Sequence, residues 1–325
     1  MSTYLITGGC GFIGSHLADL LLTQGHKVRV LDNLSTGKRE NLSTRAELVV
    51  GDVADRAAVG RAMTGVDGCF HLAAVASVER CNVDWIGSHR TNLTGTITVF
   101  DCARATADRA AIPVVYASSA AVYGDQPVSP LSERLPLHPL SAYGADKLGC
   151  ELHARVATLI HRVPTIGLRF FNVYGPRQDP KSPYSGVISI FCNQINRGLP
   201  VTIFGDGDQV RDFVYVSDVV RALLLAMQKP HLAGSVFNVC TETPTSILQL
   251  ASTIASLWRT SPTVHYARAR DGDIRVSLGD SRRAAEQLKW TARVHLLAGL
   301  TDMIHDRWLQ IPAQVPSSPS LAHPV

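Results

Sequence analysis

The residues best suited to acid–base chemistry are a tyrosine and a lysine that stand four positions apart. Tyr143 and Lys147 belong to the run Tyr-Gly-Ala-Asp-Lys, and a helix that begins near Ala142 would place both on one face. A free phenol has a pKa of about 10 and is a weak base at neutral pH, but a neighbouring ammonium favours the phenolate and lowers that pKa. Ser119 could hydrogen-bond the same substrate oxygen, with the adjacent Ser118 as the alternative. The pattern predicts proton transfer to and from a substrate hydroxyl.

A glycine-rich turn near the first residue predicts a dinucleotide site. The apolar strand from Tyr4 runs directly into Gly8, Gly11 and Gly14, after which a helix begins. Glycine there allows a tight turn, lets the backbone approach a pyrophosphate and lets the helix pack on the strand, while the helix N-terminus faces the phosphates. Three such glycines alone are a weak signal, but a second strand ends in Asp32 at the distance of a ribose-binding acid. Asp32 would bind the ribose 2′-hydroxyl and repel a 2′-phosphate, which predicts NAD rather than NADP.

Apolar strands alternate with helical stretches along the chain. The predicted strands cover residues 4–7, 28–31, 47–50, 69–72, 114–117, 165–170 and 236–239. This alternation predicts an α/β fold, a doubly wound parallel Rossmann sheet with helices on both faces. Ligands of such sheets bind beyond the carboxyl ends of the strands, and the residues with possible chemical roles follow strand ends.

The second half of the chain is less regular and is predicted to hold the substrate. After about residue 171 the sequence is rich in Gly and Pro, with helices near 187–197, 217–228, 247–258 and 294–308. We expect a cofactor domain over residues 1–170 with a returning strand near 235–240, and a smaller, interleaved α/β substrate domain over 171–311. Residues 312–325 are rich in Pro and Ser and are expected to form a disordered tail.

Composition and cysteine usage argue against several kinds of partner. The chain has 325 residues, is 46% hydrophobic and 18% charged, and carries a formal net charge of +4. Lys and Arg are scattered without a basic run, so a nucleic-acid partner is not expected. The seven cysteines include no C-x-x-C pair and lie mostly in apolar stretches, which favours buried thiols over a metal site or disulfides. We expect no signal peptide, no membrane span and a cytoplasmic location.

Further motifs follow the glycine turn in a fixed order: Asp32-Asn-Leu-Ser-Thr-Gly37, Gly51-Asp-Val53, His71-Leu-Ala-Ala74, Ser118-Ser-Ala-Ala-Val-Tyr-Gly124, Leu168-Arg-Phe-Phe-Asn-Val-Tyr-Gly-Pro176 and Gly205-Asp-Gly-x-x-x-Arg-Asp-Phe-Val-Tyr-Val-Ser-Asp218. With the tyrosine and lysine, they resemble the extended short-chain dehydrogenase/reductase superfamily, and within it the nucleotide-sugar 4-epimerases, over residues 3–309. The resemblance implies that NAD contacts a set of residues near the strand ends: Gly8, Gly11, Phe12, Ile13, Gly14, Asp32, Asn33, Ser35, Gly37, Asp52, Val53, Leu72, Ala73, Ala74, Asn92, Ser118, Tyr143, Lys147 and Phe170.

The resemblance also implies a mechanism. Tyr143 as phenolate takes the proton of a sugar hydroxyl while hydride leaves the same carbon for the nicotinamide, whose positive charge adds to that of Lys147. Ser119 holds the oxygen, and the 4-keto sugar then rotates and receives hydride on its other face, which inverts C4. Resembling 4,6-dehydratases carry an Asp-Glu pair where this chain has Ala120 and Ala121, and decarboxylases carry a glutamate at the second position. Methyl groups cannot transfer protons, which leaves oxidation and re-reduction at one carbon.

The implied substrate is a UDP-hexose, bound by residues that lie mainly in the second half: Arg80, Ser119, Tyr143, Asn172, Val187, Thr202, Phe204, Arg211, Arg270, Asp273 and Ser277. Ser277 stands where some resembled epimerases have a large tyrosine that excludes a 2-acetamido group. The smaller serine predicts that UDP-N-acetylglucosamine and UDP-N-acetylgalactosamine are accepted and preferred, alongside UDP-glucose and UDP-galactose. The alternatives are another nucleotide-sugar epimerase, a 4-ketoreductase, or, from a different class, a non-catalytic NAD-sensing regulator. A homodimer through the helices near 94–106 and 142–157 is also implied.

Overall fold

Strands and helices alternate along the computed structural model, which describes residues 1–178, 186–270 and 273–307. The strands are β1 (Thr3–Thr7), β2 (Lys27–Asp32), β3 (Glu47–Val50), β4 (Gly68–His71), β5 (Val114–Ser119), β6 (Thr165–Phe170), β7 (Asn172–Tyr174), β8 (Val201–Phe204), β9 (Val210–Tyr215), β10 (Ser235–Val239), β11 (Pro244–Ser246), β12 (Val264–Ala267) and β13 (Val276–Ser277). The α-helices are α1 (Phe12–Thr23), α2 (Arg56–Met63), α3 (Val78–Val83), α4 (Trp85–His89), α5 (Gly95–Cys102), α6 (Ala142–Leu159), α7 (Val187–Asn196), α8 (Val216–Met227), α9 (Ile247–Leu257) and α10 (Leu296–Arg307). The tail predicted at 312–325 lies outside the described residues.

Seven strands form one parallel sheet in the order β10-β6-β5-β4-β1-β2-β3. The strand order reverses between β1 and β4, so the loops after these two strands turn to opposite sides and leave a crevice at the carboxyl edge. β10 adds to the sheet beside β6 after a long excursion of the chain. The predicted doubly wound α/β fold is confirmed.

Two apolar clusters cover the two faces of this sheet. On one face α1 and α8 bury side chains such as Leu17, Leu21 and Leu223. On the other face α2, α5 and α6 bury Val59, Phe100 and further apolar side chains. Helices on both faces leave only the strand ends open, which is where a parallel sheet binds ligands.

The second half of the chain forms a smaller sheet around β9, which pairs with β7 and β13 in parallel and with β11 antiparallel. β8 and β12 form a separate parallel pair. β7 begins two residues after β6 ends, so the smaller sheet starts at the carboxyl edge of the large one. The two sheets therefore meet where the cofactor and substrate residues were predicted.

The cysteines are all free thiols, and every one except Cys102 is buried. Burial raises the pKa of these thiols, for example to about 11 for Cys10, so they are protonated at neutral pH. No helix among the described residues is long and apolar enough to span a bilayer.

Candidate active site

The glycine turn after β1 has a shape that larger residues cannot adopt. Gly8 has a φ of +72°, and a Cβ there would lie 2.7 Å from the backbone nitrogen of Ala73. A Cβ on Gly14 would collide with the carbonyl oxygen of Gly8, whereas the nearest atom to one on Gly11 is that same oxygen at 3.2 Å. α1 begins after Gly11, and no side chain of the described residues caps its first turn, which contains Phe12 and Ile13. The free amides and the close approach fit a dinucleotide pyrophosphate.

Asp32, at the end of β2, is buried and held by backbone donors. Its Oδ2 accepts from the nitrogen of Cys10 at 2.9 Å, and its Oδ1 accepts from the nitrogen of Leu34 at 2.8 Å. Asn33 caps the following turn by accepting from the nitrogen of Ser35. A Cβ on Gly37 would lie 2.9 Å from Asp32 Oδ2, so the loop passes directly over the carboxylate. The predicted ribose-binding residues are thus assembled in one turn.

A buried histidine, which the sequence analysis did not single out, ties β1 and β4 to the helix that follows. His71 Nδ1 lies 2.7 Å from Thr7 Oγ1, and His71 Nε2 lies 2.9 Å from Thr96 Oγ1. Thr96 donates to the carbonyl oxygen of Asn92, so it must accept from Nε2–H, and Nδ1 then accepts from Thr7. Burial, with a smaller contribution from the charge of Lys147, lowers the pKa of His71 to about 3. The imidazole is neutral at physiological pH and links β1, β4 and α5 through its hydrogen bonds.

Asn92 lies in a π turn, Arg90–Thr94, and fixes the loop after β4. Its Oδ1 accepts from the nitrogen of Val75 at 2.8 Å, and its Nδ2 donates to the oxygen of Val75 and to Cys81 Sγ. This holds Leu72, Ala73 and Ala74, which follow β4. The predicted supporting role of Asn92 therefore has a concrete geometry.

The adenine-side residues Asp52 and Val53 follow β3. Asp52 Oδ1 accepts from the nitrogen of Ala54 at 2.8 Å, and the buried Val53 packs under α5, where a Cβ on Gly95 would lie 2.7 Å from Val53 Cγ2. Phe170 ends β6, is buried, and lies opposite Ser119 in register. Each of these predicted residues lies at the carboxyl end of a strand, on the edge of the large sheet where the cofactor is predicted to bind (the cofactor edge).

The predicted acid–base residues come together between β5 and α6. Ser141 caps α6 by accepting from the nitrogen of Gly144 at 3.1 Å, so Tyr143 lies in the first turn. Lys147 is buried, its Nζ lies 5.8 Å from the centroid of the Tyr143 ring, and it donates to the oxygen of Ala117 at 2.9 Å. The ammonium is thereby held between the end of β5 and the tyrosine.

The two serines at the end of β5 have different surroundings. Ser118 is buried and donates to Glu151 Oε1 at 2.5 Å, so its hydroxyl is engaged in the protein interior. Ser119 is half-buried, and its Oγ accepts from the nitrogen of Ala121 at 3.2 Å, which leaves its own proton available for a substrate oxygen. This difference favours Ser119 over Ser118 for contact with the substrate.

Glu151 also forms a buried ion pair with Arg169 that the sequence analysis missed. Arg169 Nε and Nη2 donate to the two carboxylate oxygens at 2.8 and 2.7 Å. Burial pulls the pKa of Arg169 down, but the hydrogen bonds and charge of Glu151 more than compensate and hold it above its ordinary value. Two signals could have found the pair: Arg169 interrupts a strand that is otherwise apolar, and Glu151 lies four residues after Lys147 on the same helix face.

The ion pair belongs to a polar row that crosses three strands. Ser118, Arg169 and Asn238 lie opposite one another on β5, β6 and β10. Arg169 Nη1 donates to the Tyr123 hydroxyl at 2.8 Å, and that hydroxyl donates to Asn238 Oδ1 at 2.7 Å. Burial raises the pKa of Tyr123 to about 12, so its hydroxyl stays protonated. Asn238 Nδ2 donates to the oxygens of Leu131 and of residue 280, which links the row to the segment after β13.

Several predicted substrate residues cluster on the smaller sheet and its neighbour. Arg211 Nη2 contacts Asp273 Oδ1 at 2.6 Å, and its Nη1 donates to the oxygens of residues 210 and 274. The Arg270 guanidinium stacks 4.1 Å from the centroid of Phe204. Ser277, on β13, is buried and lies opposite Arg211 in register. Two arginine forks, a carboxylate and an aromatic ring are thus assembled beside a small side chain.

The remaining predicted substrate residues stand on separate elements. Asn172 begins β7, is exposed, and lies opposite Phe213 of β9. Thr202 is exposed on β8, and Val187 is the first residue of α7. Arg80 lies on α3 in the cofactor half, whose first turn is capped by a serine side chain. These four predicted substrate residues therefore lie on four different elements, α3, β7, α7 and β8.

A buried acid next to Arg211 also escaped the sequence analysis. Asp212 accepts from the nitrogen and hydroxyl of Thr241, both at 2.7 Å, and from the nitrogen of Glu242 at 2.9 Å. Burial raises the pKa of its carboxyl, against the effect of these donors. Asp212 therefore fastens the turn after β10 to β9, which places the large sheet and the smaller sheet next to each other.

The chain is similar to proteins of one family over most of its length. Residues 4–240 match the NAD dependent epimerase/dehydratase family. A UDP-glucose 4-epimerase of Mycolicibacterium smegmatis is 38% identical over 307 residues, which cover 92% of this chain and 96% of that protein. The structure of a Thermotoga maritima UDP-glucose 4-epimerase with UDP-glucose has a TM-score of 0.88 and 36% identity, covering 93% of this chain and 97% of the other. A UDP-N-acetylglucosamine 4-epimerase from Methanobrevibacter ruminantium, in complex with UDP-N-acetylmuramic acid, has a TM-score of 0.87 and 33% identity, covering 94% and 97%.

These similarities agree with the geometry of the cofactor edge. The resemblance drawn from the ordered motifs, the assignment to an enzyme class and the choice of NAD as cofactor are confirmed. The chain belongs to the NAD-dependent epimerase/dehydratase family.

Proposed function

We propose that the chain interconverts UDP-N-acetylglucosamine and UDP-N-acetylgalactosamine by epimerisation at C4, with UDP-glucose and UDP-galactose as further substrates. The observation that carries the choice of sugar is Ser277, a small buried residue on β13 that lies opposite Arg211 of β9 in register. The similarity to a UDP-N-acetylglucosamine 4-epimerase supports the same choice.

In this proposal the cofactor edge holds NAD through the glycine turn, Asp32 and the α1 N-terminus. When bound, NAD supplies a reversible hydride acceptor. Tyr143 removes the proton from the sugar hydroxyl and returns it at the end of the cycle, and the Lys147 ammonium stabilises the phenolate. Ser119 donates a hydrogen bond to the sugar oxygen and fixes its position.

The two residues after Ser119 lack the acid and base groups that elimination would need at these positions. Ala120 and Ala121 follow Ser119 in a short 3₁₀ turn, Ala120–Val122, and neither methyl can accept or donate a proton. The 4-keto sugar therefore has one productive course, which is reduction at the carbon that was oxidised. The reaction is an isomerisation with no net change in the cofactor.

The nucleotide of the substrate would bind the cluster on the smaller sheet. Phe204, with Thr202 two residues before it, offers an aromatic surface for uracil, and Asp273 can accept from ribose hydroxyls. Arg211 and Arg270 carry planar forks suited to the pyrophosphate, with Asn172 as a further donor. Binding would shift Arg211 from Asp273 toward phosphate oxygens, so that each side chain contacts its own part of the nucleotide.

The size of residue 277 would then determine which sugars can rotate in the pocket and be epimerised. During epimerisation the ring must fit in two orientations, so a 2-acetamido group needs volume on both sides of the pocket. A close-packed wall cannot yield by the width of an aromatic ring. Serine leaves that space, and tyrosine would fill it.

The test is to follow both sugar pairs with purified protein, without added cofactor, and resolve the C4 epimers. Ser277→Tyr should abolish conversion of the N-acetylated pair and spare or improve conversion of UDP-glucose and UDP-galactose. Ser252→Tyr, at an exposed position on α9, is the matched control and should change neither. Equal loss on both pairs, or no change on either, would remove Ser277 as the selecting residue. Strict dependence on added NADPH would instead favour a 4-ketoreductase.

We also propose a cytoplasmic homodimer that uses α5 and α6. Leu152, Val156 and Leu159 are about half exposed and lie on one face of α6 by their spacing, and Ile97 on α5 is 37% exposed. An apolar stripe of this kind is suited to a second copy of the helix pair. Light scattering on Leu152→Glu should give a monomer where the unmodified protein gives a dimer, and a monomeric unmodified protein would contradict the proposal.

A further inference from the structure

The chain segment after β7 turns back toward α1 and toward the loop after β2. Arg177 Nη2 contacts Asp19 Oδ2 on α1 at 2.6 Å, and its Nη1 lies 3.4 Å from the oxygen of Asn41. The carbonyl oxygen of Pro176, one residue earlier, lies 3.0 Å from His16 Nε2, also on α1. Two consecutive residues of the second half of the chain are therefore tied to two elements of the cofactor half.

Both of these elements, α1 and the loop after β2, belong to the cofactor edge. His16 and Asp19 lie one and two turns after the phosphate-binding end of α1. Asn41 ends the loop that starts at Asp32, and its Nδ2 donates to the oxygen of Cys10, within the glycine turn, at 3.1 Å. The nitrogen of Cys10 in turn donates to Asp32. Arg177 thus reaches the ribose-binding loop and, through Asn41 and Cys10, the pyrophosphate turn.

The backbone at Arg177 indicates that its position is fixed by these contacts. Its φ is +66°, a conformation that costs free energy for any residue with a Cβ. The contacts with Asp19 and Asn41 compensate for this cost. Both side chains of the ion pair are partly buried, with 25% of Arg177 and 40% of Asp19 exposed, so solvent screens the pair only in part.

We propose that Arg177 is a positioning residue that retains the dinucleotide. By joining α1 to the loop after β2, it holds together the two elements on which NAD lies, so that the cofactor can leave only after this connection opens. Because an epimerase returns its cofactor unchanged, slow release of NAD lets one molecule serve many turnovers. The inference concerns the cofactor and is independent of which sugar is used.

The experiment measures how fast NAD leaves the purified holoenzyme. Protein carrying NAD is diluted, the free nucleotide is separated by ultrafiltration at successive times, and its amount is determined enzymatically. Arg177→Met should release NAD about tenfold faster than the unmodified protein, the size expected for losing one charge-assisted hydrogen bond. Asp19→Ala should have a similar effect. Arg177→Lys, which can keep the contact with Asp19, should release NAD at a rate between those of the unmodified protein and Arg177→Met.

A matched control separates faster release of NAD from a general loss of protein stability. Arg29 pairs with Glu47 on β2 and β3 and is buried to a similar degree, but it lies toward the amino ends of the strands. Arg29→Met should leave the release rate within about twofold of the unmodified value. If Arg177→Met does not fold, Asp19→Ala decides the matter, since alanine suits a helix interior. Release rates within twofold for both Arg177→Met and Asp19→Ala, or equal acceleration by Arg29→Met, would overturn the proposal.

Discussion

The cofactor half of the chain and the half proposed to bind the substrate differ in the groups that form their candidate sites. At the cofactor edge the contacts come mainly from backbone: the glycine turn, the free amides of α1 and the donors that hold Asp32. On the smaller sheet and the neighbouring β8–β12 pair they come from side chains that contact one another, with Arg211 on Asp273 and Arg270 on Phe204. A backbone site keeps its shape without ligand, whereas the side-chain cluster, if it binds the nucleotide as proposed, must exchange internal partners for ligand atoms.

This difference makes the two candidate sites suitable for different kinds of ligand. A site that is already formed suits a cofactor that stays bound, because little order has to be created on binding. A cluster whose charges neutralise one another suits a substrate that enters and leaves at every turnover. The comparison predicts that mutations in the cofactor half change NAD content, while those in the substrate half change KM.

The largest effect is expected at Tyr143, the proposed proton acceptor. Tyr143→Phe removes the proton acceptor and keeps the ring, so turnover should fall by about two to four orders of magnitude. NAD content and affinity for UDP should stay the same, because neither depends on the hydroxyl. Tyr4→Phe, at the amino end of β1, is the control and should be inert. Activity within tenfold of the unmodified protein would contradict the assignment of Tyr143.

The next test separates two glycines of the same turn. Gly14→Ala places a Cβ against the carbonyl oxygen of Gly8, so the turn must distort, at a cost of about 1 to 3 kcal/mol in unfolding free energy. Gly11→Ala has more room within the protein, but its methyl would point to where the pyrophosphate lies. We expect it to keep the stability of the NAD-free protein and to weaken NAD binding at least tenfold. Urea unfolding and NAD titration measure the two effects, and equal destabilisation by both changes would refute this division.

A smaller effect, confined to the substrate half, is expected for Arg211. Arg211→Met should raise KM for the UDP-sugar by about 10- to 100-fold with little change in kcat, because a charged donor to phosphate is lost. Arg275→Met is a suitable control, since Arg275 pairs with Asp206 in the same half and is 58% exposed. NAD content should be unaffected by either change. Loss of NAD from the Arg211 variant would show that the two sites are not separate.

The last effect concerns pH. Because the pKa of His71 is lowered to about 3 by burial, the unfolded chain takes up a proton below its ordinary pKa of 6.5 while the folded protein does not. The stabilisation is complete above pH 6.5 and is lost as the pH falls toward 3, by up to about 1.4 kcal/mol per pH unit. Urea unfolding at pH 7.5, 6.0 and 5.0 should show this slope, and His71→Asn should flatten it. A slope that is the same in both proteins would mean that other groups cause the acid sensitivity.

The parts of the site that could be predicted from the sequence depend on residues that are close together in the chain. These parts are the seven strands of the large sheet, the glycine turn, the turn at Asp32 and the position of Tyr143 relative to Lys147. The polar row of Ser118, Arg169 and Asn238 could not be predicted from the sequence, because it depends on the mutual register of β5, β6 and β10 and on α6, which carries Glu151. The contact of Arg211 with Asp273 was missed for a related reason: both residues were interpreted as ligand contacts, and sequence cannot show that such groups first contact each other.

The row from Ser118 through Arg169 to Asn238 also has a consequence for the order of folding. Its third member comes from β10, which is made only after the strands of the smaller sheet that precede it in the chain. Until residue 239 has been synthesised, Tyr123 lacks its acceptor and the Glu151–Arg169 charges lie at an open sheet edge. Closing such distant contacts is slow, since loop entropy is lost before the contacts form. We therefore expect the end of β5 that carries Ser119 to be among the last parts of the large sheet to be completed. A chain that ends before β10 can form the glycine turn predicted to bind NAD, but it cannot form the complete polar row next to Ser119.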